Sequence, residues 1–269
     1  MCEENGFCIG VKEYKVMFMI MSNMSQRKKF LTFGGPSQEY HERVLKIKQQ
    51  AKSLNFFDEI IGLTDIDLKN NHPLFWGKNA EFMMSNRRGY GFWLWKPYVI
   101  LSTLHDSEPN DIIIYMDAGC TLNPNGMNRL NDYIRILNSQ SQFDILSFQM
   151  CALPEIKYTK RELMTYLDVP VEHMNSGQCM ATVIIMRKGE HSLSIVNKWN
   201  ELASIRDLIN DKHNLEEYKL FIDHRHDQSI YSLLVKKYGS IKIPDETYFE
   251  PRWLENGKKY PFWATRIRY

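Results

Sequence analysis

Charge of one sign, long apolar runs and paired cysteines are all scarce in this 269-residue chain. Thirty-four Lys and Arg stand against 32 Asp and Glu, a formal net charge of +2. A balance so close to neutral gives no electrostatic footprint for nucleic acid or an anionic membrane surface. The longest apolar run near the start is Val16-Met-Phe-Met-Ile-Met21, far short of the roughly 20 residues that span a bilayer. No basic–apolar–small leader opens the sequence. The cysteines, Cys2, Cys8, Cys120, Cys151 and Cys179, are odd in number and form no CxxC pair or zinc spacing. That pattern suits a reducing compartment better than a disulfide framework. Repeats, low-complexity tracts and Gly/Ser linkers are absent as well, so nothing divides the chain. The expectation is a soluble, cytoplasmic protein, with 43% hydrophobic and 25% charged residues, both ordinary for a globular fold.

Strand and helix patterns alternate along the chain. Lys29–Phe33 and Phe57–Leu63 read as strands enclosing a helix whose apolar stripe is Tyr40, Val44, Ile47, Ala51 and Leu54, with Ser37 as its N-cap. A further strand is expected at Tyr14–Met21, and Thr64–Pro73 reads as polar loop. Helical patterns follow at Leu74–Ser85 and Lys96–Leu104, the latter with Pro97 in its first turn. Later strands are expected at Asp144–Met150, Ala181–Met186 and Ile241–Ile243. Helices are expected over Met127–Leu137, Leu193–Leu202 and Ile230–Leu234, and Thr159-Lys-Arg-Glu162 matches a capping box. Strand–helix–strand units of this kind predict an α/β domain with a mostly parallel sheet and a small antiparallel elaboration in its second half.

The centre of the pattern is Asp111-Ile-Ile-Ile-Tyr-Met-Asp-Ala-Gly-Cys120. Its apolar run reads as a strand buried on both faces, ending on Asp117. Ligands of open α/β sheets lie beyond the carboxyl ends of the strands, so Asp117 stands where a metal or a phosphate would be met. Ala118 and Gly119 let a ligand approach the backbone. Lys96, at a helix start just upstream, adds positive charge near a helix N-terminus.

Tyr115-Met-Asp117-Ala-Gly119 resembles the metal and nucleotide-sugar motif of glycosyltransferases with the GT-A fold, in which a buried strand ends in Asp-x-Asp. Gly119 occupies the second acidic position here. Arg88-Gly-Tyr-Gly-Phe-Trp-Leu-Trp-Lys96-Pro resembles the segment before that strand in viral and bacterial polysaccharide glycosyltransferases. Asn175-Ser-Gly177 and Asp227-Gln228 resemble elements of glycosyltransferase families 8 and 32. The resemblance implies an α/β, Rossmann-like GT-A domain over residues 29–269, with residues 1–28 as an N-terminal extension or edge strand. It implies transfer of a hexosyl or pentosyl unit from a UDP- or GDP-sugar to a glycan or other hydroxyl, with retention of configuration and with Mn²⁺ or Mg²⁺.

The site residues follow from that resemblance and from their places in the pattern. Thr32, Phe33, Gly34, Arg88, Lys96, Asp117, Ala118 and Gly119 are candidates for donor binding. Asn175, Ser176, Gly177 and Gln228 are candidates for the sugar and acceptor, and Gln178 and Asp227 for catalysis. Asp117 and His226 are the candidate metal ligands, a histidine standing in for the acid missing at Gly119. Two rival readings remain open. His224-Arg-His226-Asp227 could form a hydrolytic metal site, and the chain could be a non-catalytic sugar-binding relic of the fold. Asp227 could equally act as the N-cap of the helix that follows it.

Overall fold

The computed structural model describes residues 26–265. The strand expected at Tyr14–Met21 lies outside them. A six-stranded sheet forms the centre, in the order β2-β1-β3-β6-β5-β7. Its strands are β1 Lys28–Gly34, β2 Glu59–Thr64, β3 Ile112–Met116, β5 Ile145–Pro154, β6 Gly177–Arg187 and β7 Ile241–Pro244. β1 pairs in parallel with β2 and β3, and β5 with β7, while β6 runs against both of its neighbours. The sheet is therefore mostly parallel, and the antiparallel elaboration is one strand at its middle. A second, two-stranded sheet joins β4 Thr121–Leu122 to β8 Phe262–Trp263.

Every residue of β3 is buried, as its unbroken apolar run requires. Leu31, Phe33, Ile113 and Tyr115 face one core, shared with the helices Trp95–His105, Glu190–Ala203 and Asp227–Lys237. Phe30, Ile112, Ile114 and Met116 face the other, shared with the helices Gln38–Ser53 and Met127–Asn138. The period-2 alternation along β1 and β3 thus fills two layers with opposite faces of the same strands.

Several local expectations change. The loop expected at 64–73 contains a helix, Asp65–Asn71, closed by a capping box between Thr64 and Asp67. The capping box expected at Thr159 and Glu162 does not form. Lys160 is the N-cap of Arg161–Tyr166, because the Thr159 hydroxyl donates to Glu155 and Glu162 accepts from the Asn214 and Leu215 amides. Asp227 is not an N-cap either: it is the first residue of its helix, after His226 at φ 48° and ψ −116°. Among the described residues, no helix is long and apolar enough to cross a membrane.

Candidate active site

A cleft of about 860 Å³ opens at the carboxyl ends of β1 and β3, where the ligand sites of open α/β sheets lie. One wall is the end of β1 and the start of the following helix, from Phe33 to Tyr40. The opposite wall is Arg87–Tyr90 with Trp93, Trp95 and Lys96. The floor is Asp117–Cys120, and the far side is Arg225–Gln228.

The second wall depends on an unusual backbone. Gly89, Tyr90, Gly91, Phe92 and Trp93 all have positive φ, between 51° and 80°. Phe92 N donates to Arg88 O at 2.8 Å and Trp93 N to Gly89 O at 3.0 Å. These five residues form a left-handed helical turn. Each non-glycine residue in that conformation costs about 1–2 kcal/mol, and strain of this size concentrates at functional sites. Both glycines are needed for space as well: a Cβ on Gly89 would lie 2.2 Å from the Trp93 ring, and one on Gly91 2.9 Å from Met83 Cα. The turn stacks Phe92 on His226, ring centroids 4.7 Å apart, and presents Arg87, Arg88 and Tyr90 to the cleft.

Lys96 holds the site together. It is buried, and its Nζ lies 3.1 Å from Asp117 Oδ1, 3.0 Å from Asp227 Oδ2 and 3.2 Å from Ala181 O. The contact to Asp227 is an ion pair without hydrogen-bond alignment, since Oδ2 has no aligned donor. Burial lowers the Lys96 pKa, but Asp117 and Asp227 outweigh it and the net shift is upward, so the ammonium stays charged. The Tyr115 hydroxyl donates to Asp117 Oδ1 at 2.6 Å. Burial, and then the Asp117 charge, push its pKa well above the ordinary phenol value, so it remains a donor. Both groups contact Oδ1, and Asp117 Oδ2 has no hydrogen-bond partner among the described residues.

Asp227 is equally constrained. Burial raises its pKa, Lys96 lowers it and Asp117 raises it again, and the result is about 6. Its neighbour Gln228 lines the cleft and donates from Nε2 to Gln178 Oε1 at 2.8 Å. His226 donates from Nδ1 to Ile209 O at 2.7 Å, and burial takes its pKa down to about 4. The imidazole is therefore neutral, and its Nε2 is buried 3.5 Å from Asp211 Oδ1 without an aligned hydrogen bond.

Phe33, Gly34, Arg88, Lys96, Asp117, Ala118, Gly119, His226, Asp227 and Gln228 therefore all border one cleft. Thr32, Asn175, Ser176, Gly177 and Gln178 do not border it. Thr32 is buried in β1. Asn175 and Ser176 turn back onto the Val171 and His173 carbonyls. Gln178 is buried within hydrogen-bond distance of Glu155, Tyr158, Thr159 and Ser229, and it reaches the cleft only through Gln228. Arg88 borders the cleft, but its guanidinium is held by Asp223 at 3.1 and 2.6 Å and by Asp211 at 3.3 Å.

Sequence reasoning passed over Arg87, which is exposed on the cleft wall with no side-chain partner among the described residues. It also passed over the Tyr115 hydroxyl and Tyr90. The signal for the first and last was the spacing of Gly89 and Gly91, which marks a turn that periodicity cannot describe. The hydrolytic reading of His224 and His226 is set aside. His224 Nδ1 accepts from Lys160 N at 3.3 Å and its Nε2 donates to Leu208 O at 3.0 Å, so neither nitrogen is left for a metal.

The residues present can be weighed against a divalent cation. Asp117 offers one oxygen, Gly119 offers no side chain, and His226 has only a buried Nε2 beside Asp211. Among the described residues, the one His/Cys/Asp/Glu trio close enough to share an ion is Glu162, His213 and Glu217, which does not border the cleft. A cleft with so few ligands suits a cation that arrives with an oxygen-rich ligand, not one resident in the free protein.

No protein-family model matches the chain, and no curated protein matches it in sequence. Among solved structures, it is similar to a glycosyltransferase involved in the glycosylation of the major capsid of PBCV-1, with 12% identity and a TM-score of 0.50. The match covers 88% of this chain and 91% of that one. Mouse xyloside xylosyltransferase 1 in its apo form also aligns, at 9% identity over 87% of this chain and 93% of that one, but its TM-score of 0.42 carries no argument. At these identities the likeness concerns fold: the chain has a GT-A-like glycosyltransferase fold, with Asp117 at the end of its central strand and Lys96 bridging that carboxylate to Asp227.

Proposed function

We propose that the protein is a glycosyltransferase that moves a hexosyl or pentosyl unit from a UDP- or GDP-sugar to a hydroxyl of a glycan acceptor. The observation that carries this reading is the Asp117–Lys96–Asp227 bridge, with Lys96 and Asp227 buried, bordering a large cleft in a GT-A-like fold. Transfer breaks the bond from the anomeric carbon to the diphosphate, which leaves with the electron pair. The acceptor oxygen bonds to that carbon and gives up its proton to the departing diphosphate oxygen. The protein must therefore meet negative charge at the diphosphate and positive charge at the sugar. Arg87 serves the diphosphate end directly and Asp117 through a divalent cation, and Asp227 with Gln228 serve the sugar end. Phe33, Gly34 and Tyr40 border the part of the cleft left for the nucleoside. Retention of configuration is part of the proposal, and the anomeric proton couplings of the product test it.

A divalent cation, Mn²⁺ or Mg²⁺, neutralises leaving-group charge when bound with the diphosphate. With Asp117 as the principal carboxylate for it, Mn²⁺ should bind the free protein weakly and at least tenfold more tightly once UDP or GDP is present. Calorimetric titration measures both. The nucleotide-dependent gain should vanish in Asp117→Ala; a gain that survives this substitution would show that the cation is held elsewhere.

The function itself is tested by a panel of nucleotide sugars, with and without Mn²⁺. A donor at 100 times its dissociation constant stabilises the folded state by about 2.7 kcal/mol, readable as a rise in melting temperature. The same donor should be hydrolysed slowly when no acceptor is present. A panel in which no nucleotide sugar shifts the melt or is cleaved would remove the transferase reading.

A further inference from the structure

The C-terminal segment carries five aromatic rings that belong to neither core: Tyr248, Phe249, Trp253, Tyr260 and Trp263. They touch one another in a connected cluster. Trp253 meets Tyr248 at 5.6 Å, Phe249 at 6.1 Å and Trp263 at 6.0 Å between centroids, and Phe249 stacks on Tyr260 at 5.1 Å. Tyr248 is 49% exposed, and the other four are partly exposed. Aromatic side chains carry 150–250 Å² of largely apolar surface each, so the cluster presents aromatic surface to solvent through the exposed parts of its rings.

This cluster is fastened to the floor of the cleft. β8, which contains Trp263, pairs with β4 immediately after the Asp117–Cys120 loop, with Thr121 opposite Trp263. Thr265 Oγ1 donates to Gly119 O at 3.1 Å. Asn123 Nδ2 lies within hydrogen-bond distance of the Lys258 and Tyr260 carbonyls, at 2.8 and 2.9 Å. Trp263 Nε1 donates to Gly257 O at 2.9 Å, which fixes that ring. Trp253 Nε1 has no partner among the described residues. Around the rings lie exposed polar groups, among them Glu255, Asn256 and Lys258.

We propose that this cluster is the platform on which the acceptor oligosaccharide rests, an inference that builds on the glycosyltransferase reading. A pyranose has apolar C–H faces bounded by hydroxyls. Aromatic rings packed on one another, with a free indole N–H and polar side chains beside them, complement both parts. A platform continuous with the Gly119 loop delivers a glycan end toward the cleft without occupying the donor's place.

The test is an array of neutral oligosaccharides probed with the purified chain in the absence of nucleotide, paired with an assay of transfer against donor hydrolysis. Wild type should bind at least one oligosaccharide. Trp253→Ala should lower that binding about tenfold and reduce the ratio of transfer to hydrolysis. Trp253→Phe, which keeps a ring, should retain most of the binding, and Asp117→Ala should retain it fully. Absence of any oligosaccharide binding by wild type would overturn the platform. So would binding lost in Asp117→Ala and kept in Trp253→Ala. The two readings fail separately: a chain that binds glycan but cleaves no nucleotide sugar keeps the platform and loses the transferase.

Discussion

Lys96→Met should cost about 3–5 kcal/mol of folding stability at neutral pH and abolish transfer. Lys96 is buried between two carboxylates, and removing one partner from a buried ionic group leaves the others uncompensated. Methionine fills similar space without charge, so lost packing contributes little. At about 2–4 °C per kcal/mol, the melting temperature should fall by roughly 10 °C. The pH dependence distinguishes charge from packing. Asp227 already has a folded pKa raised to about 6 from an ordinary 3.8. A carboxyl raised on folding contributes most favourably below its unfolded value, and stability falls as pH rises through the window between the two. Without Lys96 the folded pKa moves higher still, so the loss should be largest at pH 7 and shrink on acidification to pH 5. Melting curves of wild type and variant across that range measure this. A deficit equal at both pH values would mean that Lys96 acts through packing.

Lys96 also shows where sequence reading reaches and where it stops. Its place at a helix start before the central strand was legible, because Pro97 and the apolar run of Ile112–Met116 both carry local signals. Its burial was not. Whether a lysine is solvated or bridges two acids depends on Asp227, 131 positions later, coming to lie beside Asp117, and no local pattern encodes that meeting. The helix Gln38–Ser53 was readable because Val44, Ile47 and Ala51 are buried at helical spacing. Asp65–Asn71 was missed because one buried residue, Leu68, makes no stripe. The left-handed turn at Gly89–Trp93 violates the preference of Tyr90, Phe92 and Trp93 for negative φ. Local rules fail there because tertiary contacts hold the strain, and such failures gather at functional sites. Gln178 shows the converse case. A glutamine beside a motif looked chemical, but burial commits it to holding Gln228.

Asp227→Asn should reduce turnover about 10²- to 10³-fold, the loss typical of removing one group that stabilises charge in a transition state. Donor affinity should change little, since the proposed reading assigns the diphosphate to Arg87 and, through a cation, to Asp117. Stability should hold at neutral pH. Lys96 keeps Asp117 as its partner, and the variant loses a carboxylate whose ionisation burial and Asp117 both oppose. A capping role would predict unchanged turnover as well, because Asn and Asp cap helices about equally; Asp227 instead follows the cap and pairs with Lys96. The pH profile gives the sharper test. Wild-type turnover should decline as pH drops through about 6, where Asp227 takes up a proton and its negative charge is lost. His226 cannot produce that decline, because burial holds its pKa near 4 and it stays neutral throughout. The residual activity of Asp227→Asn should therefore be flat across pH 5 to 7. A variant that retains the acid limb, or that turns over donor at the wild-type rate, would take Asp227 out of the chemistry and leave Gln228 as the side chain to examine at the sugar.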